Sequence, residues 1–285
     1  MKPCRRKQAI AYLFLFLTAL GATFFNAASY AQSKLTIVID DLGYHPTYDA
    51  AVLAMPHEIS VAIIPTAPYA ALRDHQADAQ QRDILIHLPM QPLNHQRIEP
   101  GGLYLGMSTD EVARRVAEAK SVLPHAIGLN NHMGSAATAD EALMSALMNA
   151  LKQHHLFFLD SRTSGRSVAV KTAQKQGVKA LTRHIFLDDS NQTADIQRQF
   201  DLALQHARKQ GTAIVIGHPR KNTINVLQTA LATLPPDIRL INIGALWRNE
   251  TVAPPAPFIL HFSEAPAPTS HAPFEYIPML RGVPR

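Results

Sequence analysis

At 285 residues the chain suits one large domain or two small ones. With 47% hydrophobic and 17% charged residues, it can bury a sizeable core, which excludes a disordered or collagen-like protein. The formal net charge of +5 sits with Lys2, Arg5, Arg6 and Lys7, since beyond residue 31 there are 23 Lys+Arg against 22 Asp+Glu. A near-neutral body excludes binding of a phosphate backbone as its main business, so no nucleic-acid partner is expected.

The first element in the chain is an address. The basic cluster precedes the apolar run Ala9–Leu17, no charge follows before Lys34, and Ser29-Tyr30-Ala31 offers a small-x-small cleavage site. Residues 1–31 therefore read as a secretory signal peptide. The alternative is an uncleaved anchor, because residues 9–28 form an uncharged stretch of 20, long enough to span a bilayer. Thr18, Gly21, Thr23 and Asn26 weaken that alternative. Either way the body is exported, and a periplasmic location is expected. The only cysteine is Cys4, so the mature body has no disulfide, no thiolate nucleophile and no cysteine-held zinc.

From Lys34 to about Trp247, short apolar runs alternate with amphipathic helical patterns. Strands are predicted at Leu35–Ile39, Ile59–Ile64, Ile84–His87, Ile127–Asn131, Leu156–Asp160, part of Ala180–Leu187, Ala213–Gly217 and Leu240–Ile243. Their near-continuous apolarity suits strands covered on both faces. Ser108-Thr109-Asp110-Glu111 and Thr138-Ala139-Asp140-Glu141 read as capping boxes. Val112, Val116, Ala119 and Leu123 follow the first at helical spacing, and Leu143, Leu147 and Leu151 the second. Ile196, Phe200, Ala203 and Ala207 make a third such face. Repeated strand–helix alternation predicts a parallel α/β fold, either a barrel or a doubly wound sheet. Residues 88–107 read as a long non-helical insert, the kind of loop that often belongs to a site. Eight prolines between Pro254 and Pro284 mark residues 250–285 as a flexible or extended tail.

The polar residues fall at strand ends. Asp40-Asp41 closes the first strand and His87 the third; Asn130-Asn131-His132 closes the fourth, Asp160-Ser161 the fifth and His218 the seventh. In a parallel barrel or sheet these ends share one rim, where loops build the site. Singly, each has a plain structural use: Asp40-Asp41 as a cap with a solvated charge, Asp160 as a turn residue, His87 or His218 as a hydrogen-bonded histidine. Together they resemble an Asp–His–His metal site, and oxygen and imidazole donors suit zinc or a similar divalent ion with a position left for water. No G-x-S-x-G elbow, P-loop or G-x-G-x-x-G follows a strand, so neither a serine triad nor a nucleotide is expected.

Val38-Ile39-Asp40-Asp41-Leu42-Gly43, His87-Leu88-Pro89-Met90, Gly128 to Ser135, Phe158-Leu159-Asp160-Ser161-Arg162-Thr163 and Ile216-Gly217-His218-Pro219 together resemble the divergent polysaccharide deacetylase family. The resemblance runs from about Leu35 to Trp247. It implies the fold of the NodB-like carbohydrate esterases, an α/β fold with a distorted (β/α) barrel of about seven parallel strands, here spanning residues 32–249. It also implies that Asp40 is the general base, Asp41 a metal ligand, His87 a second ligand and His218 the general acid. The relatives' second histidine ligand lies four residues after the first, where this chain has Gln91. His132 is the nearest replacement, and Asp160 the next candidate. The relatives' Arg-x-Pro-aromatic motif is absent, and Asn130-Asn131-His132 stands in its region. Asn130, Asn131, Asp160 and Ser161 are expected to support the site or bind substrate, with Asn131 or a backbone N–H as the oxyanion donor. The implied activity is removal of acetyl groups from an N-acetylated envelope glycan. The alternative is a non-catalytic envelope protein that binds glycan or a partner through the same groove.

Overall fold

In the computed structural model, residues 32–94 and 96–250 are described. The predicted signal segment, residues 1–31, and the Pro-rich tail beyond Glu250 lie outside them. The strands are β1 (Ser33–Leu42), β2 (Ser60–Ile63), β3 (Ile84–Met90), β4 (Gly128–Met133), β5 (Phe157–Asp160), β6 (Ala180–Thr182), β7 (Ile185–Phe186), β8 (Thr212–Gly217) and β9 (Ile238–Leu240). Between and after them run α1 (Pro46–Leu53), α2 (Ala70–Ala79), α3 (Thr109–Val122), α4 (Glu141–Gln153), α5 (Ala169–Gln176), α6 (Thr193–Gln210), α7 (Lys221–Ala232) and α8 (Ile243–Arg248).

Every strand pairing is parallel, in the order β6-β5-β4-β3-β2-β1-β8-β7, with β9 added beside the start of β1. The two ends of that order are halves of one stretch of chain. Arg183 N donates to Asp160 O beside β5, and the next residue, His184, donates its N–H to Ile214 O beside β8. One split strand thus serves both edges, which leaves seven strand positions around a distorted (β/α) barrel. The doubly wound alternative is set aside.

Two apolar layers hold this ring. Outward-facing residues such as Ile37, Ile39, Ile86 and Phe158 pack under the helices. Inward-facing Val38, Leu85, Phe157, Leu159, Ile214 and Ile216 fill the barrel. α8 stoppers the lower end: Trp247 stacks on Phe157 with ring centroids 5.3 Å apart, and Ile243 N donates to Ser60 Oγ at 3.0 Å. The interior is therefore solid up to the rim at the strand C-termini.

Three sequence expectations shift. The strand predicted at Leu240–Ile243 ends at Leu240, because the Asn242 side chain accepts from Ala245 N and starts α8. The second capping box moves by two residues: Asp140 caps α4 through Leu143 N, while Thr138 Oγ1 donates back to Gly134 O. Ser108 and Glu111 do form their box. The insert is shorter than predicted, since β3 continues through Leu88 and Pro89 to Met90, and Leu103 N donates to Pro89 O.

Gly128 shows how tightly the interior is filled. A Cβ there would lie 2.5 Å from the Phe157 ring. Overpacking of this kind typically costs about 1–3 kcal/mol. Gly128→Ala should lower the denaturant midpoint accordingly; an unchanged midpoint would show that Phe157 has room to move.

Candidate active site

Successive side chains of a strand alternate between its faces. Along the inward parity, apolar residues give way to polar ones at the rim: Val38 then Asp40, Leu85 then His87, Leu159 then Ser161, Ile216 then His218. On β4 the same parity carries Gly128, Asn130 and His132. His87 pairs in register with Asn130, and Pro89 with His132. Asp41 has the wrong parity, and the backbone corrects it. Its φ is +59°, and the β1–β2 register shifts between Ile39 and Leu42. That left-handed turn brings a second carboxylate beside the first.

Asp41, His87 and His132 meet at one point. Asp41 Oδ1 lies 2.9 Å from His132 Nδ1 and 3.2 Å from His87 Nε2, and the two ring nitrogens are 3.1 Å apart. Asp41 Oδ1 is buried, yet no hydrogen bond satisfies it. A buried unsatisfied oxygen in a triangle with two imidazole nitrogens is what a divalent cation would complete. The triangle is slightly tighter than the roughly 3.3–3.6 Å edges of a tetrahedron built on zinc–ligand distances of about 2.0–2.2 Å. The donor set fits zinc or a similar ion.

The far sides of His87 and His218 are hydrogen-bonded, and a carboxylate lies near that of His132. His87 Nδ1 donates to Asn130 Oδ1 at 2.8 Å, which leaves Nε2 free to face the triangle. Asn130 Nδ2 donates to Asp40 Oδ1 at 2.8 Å and to Ser161 Oγ at 3.3 Å, so a single amide sets both a ligand and the neighbouring carboxylate. His132 Nε2 lies 3.7 Å from Glu99 Oε2, another buried oxygen with no hydrogen-bond partner. His218 Nδ1 donates to Asp188 Oδ1 at 2.8 Å. Asp188 is itself fixed by the His218 backbone N–H and Thr223 Oγ1.

These contacts set the charges. Burial raises the Asp40 carboxyl above its ordinary range, only partly opposed by His87 and His218. Burial acts to raise Asp41 too, but His132 and His87 outweigh it and hold that carboxyl well below the usual range. Burial acts to lower His87, yet Asp40 and Asp41 push it up to about 9. His218 is likewise raised: burial acts against it, and the bond to Asp188 wins. Two adjacent aspartates thus acquire opposite tendencies, one toward accepting a proton and one toward staying ionised.

The other expected residues have structural duties. Asp160 faces away from the barrel interior, accepting from Arg162 N at 2.8 Å and Ser167 Oγ at 2.7 Å; it closes a turn and lies outside the triangle. Asn131 also has outward parity. Its Oδ1 accepts from Ser161 N and its Nδ2 donates to Met133 O, so its amide ties β4 to β5 and is not placed as an oxyanion donor. Ser161 reaches the site only through Asn130. Gln91 Oε1 accepts from Leu105 N at 2.9 Å and pins the loop that carries Glu99. Asp188 and Glu99 were not singled out in the sequence. The first sits in Asp188-Asp189-Ser190, which reads as an ordinary polar loop, and the second in a stretch without periodicity.

Above the triangle opens a cleft of about 380 Å³, within the range of ligand sites, whose walls include Tyr44, Tyr48, Glu99, His132, His218 and Lys221. Tyr44 and Tyr48 are exposed there and offer ring faces to a ligand.

Comparisons with known proteins bear on the family and the fold. The family model described as divergent polysaccharide deacetylase matches residues 37–247. An uncharacterized protein of Haemophilus influenzae is 62% identical over 279 residues, covering 98% of both chains. The uncharacterized protein YibQ of Escherichia coli is 45% identical over 225 residues, covering 78% of this chain and 70% of its own. Among solved structures, uncharacterized protein ATU2773 from Agrobacterium tumefaciens C58 aligns with a TM-score of 0.71 at 19% identity, over 75% of this chain and 89% of that one. A structure described as T48 deacetylase with substrate aligns with a TM-score of 0.50 at 8% identity, over 76% and 92%. At such identities the likeness is one of fold.

Carboxylates that hold the far nitrogen of a metal-binding histidine typically contribute about 10–100-fold to metal affinity. Glu99 lies near that nitrogen without a hydrogen bond, so Glu99→Gln should weaken zinc binding by less than about tenfold, read by competition with a chelator. Unchanged affinity would mean that His132 is held by strand geometry alone.

Proposed function

The chain belongs to the divergent polysaccharide deacetylase family, and from that premise we propose that it is an exported, metal-dependent hydrolase removing acetyl groups from N-acetylated sugars of an envelope polysaccharide. The observation that carries this reading is the placing of Asp40 and His218 beside the Asp41–His87–His132 triangle. His87 Nε2 lies 3.5 Å from Asp40 Oδ2, and His218 Nε2 lies 3.8 Å from Asp41 Oδ2. The layout of residues 1–31 supports export to the periplasm, with inner-membrane anchoring if that segment is retained. A sugar chain suits the open cleft with exposed Tyr44 and Tyr48 on its wall.

A divalent cation, most simply zinc, held by Asp41, His87 and His132 would polarise the acetyl carbonyl and lower the pKa of the attacking water. The protein's own groups manage the protons. Asp40 Oδ1 is occupied by Asn130, so Oδ2 is the oxygen left to take the proton from water, and burial makes that carboxylate a stronger base than a solvated aspartate. His218, whose proton affinity is raised by the bond to Asp188, delivers a proton to the sugar nitrogen as the C–N bond breaks. Water and the amide give acetic acid and a free amine, with one proton taken up at Asp40 and one released from His218; the acid then ionises to acetate in solvent.

Asp40→Asn keeps size and one hydrogen-bonding oxygen while removing the base. It should retain zinc and lose about 10²–10⁴-fold in turnover, measured as acetate release from chitooligosaccharide or peptidoglycan. Asp41→Asn should lose the zinc bound at the rim and activity together. A wild type saturated with zinc that releases no acetate from any N-acetylated glycan would favour the non-catalytic binding reading, to which the histidine-to-Gln91 change lends support.

A further inference from the structure

A second cluster of metal-ligating side chains lies well away from that rim. Asp74 on α2 is fully buried and accepts from His125 Nδ1 at 2.6 Å and from the His125 backbone N–H at 3.4 Å. With Nδ1 held by Asp74, the ring turns Nε2 outward, 3.5 Å from Asp78 Oδ2. His75 meets the His125 ring edge-on, with centroids 5.4 Å apart. Ligand atoms of Asp74, His75 and His125 all lie within 4.8 Å of one another. His75 and Asp78 are three residues apart on α2, and such residues are neighbours on a helix surface.

We propose that His75, Asp78 and His125 form a second divalent transition-metal site, with Asp74 as the residue that positions His125. The arrangement is the carboxylate–histidine pairing that fixes a ring's tautomer and raises its basicity as a ligand. Two imidazoles and one carboxylate select zinc, nickel or copper(II) over magnesium or calcium. The nearby cation is Lys120, whose Nζ donates to Pro124 O at 2.7 Å and Ala126 O at 2.8 Å. Buried Asp74 is the carboxylate whose charge acts on Lys120, and the Asp78 carboxylate is exposed. His125 precedes β4 and His132 lies near its end, so the two sites are roughly 20 Å apart along the barrel at about 3.3 Å per residue. An ion here would clamp α2 to the loop between α3 and β4, which are otherwise joined at this point through Asp74 and His125.

The test uses the metal-stripped full chain titrated with zinc by calorimetry, with thermal melts alongside. The wild type should bind two zinc ions per chain, and the exposed double variant His75→Ala/Asp78→Asn one fewer, with its zinc-free melting temperature unchanged. Asp41→Asn should keep one ion, and zinc should still raise its melting temperature; adding the double variant to Asp41→Asn should abolish both effects. The single Asp78→Asn, which leaves both rings in place, should weaken the second ion by at least about tenfold, since losing a ligand costs no less than losing a group that orients one. The proposal is overturned if the double variant binds zinc as the wild type does, or if Asp41→Asn binds none. Loss of the Asp41-dependent ion alone would instead count against the hydrolase reading and leave this site standing.

Discussion

The site depends on one backbone departure, the left-handed turn at Asp41. In a regular strand, adjacent aspartates would face opposite sides, and only Asp40 would reach the barrel mouth. A positive φ is uncommon for a residue with a side chain, although aspartate tolerates it better than most. Here the turn is braced. Gly43 follows with φ +113°, where a Cβ would lie 2.7 Å from Ala67 Cβ. The Gly43 N–H donates to Asp49 Oδ2, which also accepts from Arg73 Nε. Asp49 and Arg73 are both buried. This ion pair beneath the loop therefore acts on the site at a distance, by fixing the turn that places neighbouring carboxylates in different environments.

Those roles follow from environment, since the residues are chemically identical. Asp40 is enclosed and held by one amide, so burial dominates it. Asp41 faces two imidazoles, so charge dominates. The three histidines differ in the same way, according to what holds the nitrogen turned from the cleft. On His87 the amide is neutral, and Asp40 and Asp41, which raise its proton affinity, are the same charges that would draw a cation to Nε2. A buried carboxylate on His218 favours the imidazolium, which suits a proton donor. Glu99 near His132 adds negative charge beside a ligand, which favours a cation in the triangle.

Much of this was legible in the sequence. Strand C-termini carrying Asp40, His87, His132 and His218 are visible as apolar runs that end in polar residues, and parity follows from counting by two. What the sequence hid was partnership. Asp160 and Asn131 look as functional as Asp40 and Asn130, but outward parity turns them toward backbone groups of neighbouring loops. Asp188 and Glu99 carry no local pattern, because a loop residue's role is set by the strand end it folds over. The capping shift from Thr138 to Asp140 has the same origin: either oxygen serves locally, and the Gly134 carbonyl decides which one is used. Ile243 reads as strand by apolarity alone, and only the Asn242 cap turns it into the barrel's stopper.

The replacement of a ligand at Gln91 can then be understood as a move across the sheet. A histidine four residues beyond His87 would have to return to the metal from the loop after β3. That position is instead committed to the loop, with the Gln91 side chain holding Leu105 and its carbonyl accepting from Ala136 and Ala137. Neighbouring strands lie about 4.8 Å apart, so the next strand offers an equivalent approach. His132 pairs in register with Pro89, two residues beyond His87 on β3, and inward parity aims its ring at the same point. The exchange frees the residue 91–107 loop to bring in Glu99. The position that reads in the sequence as a lost ligand is matched in the fold by a histidine one strand over, with a carboxylate near it, which on the proposed reading would take the ligand's place.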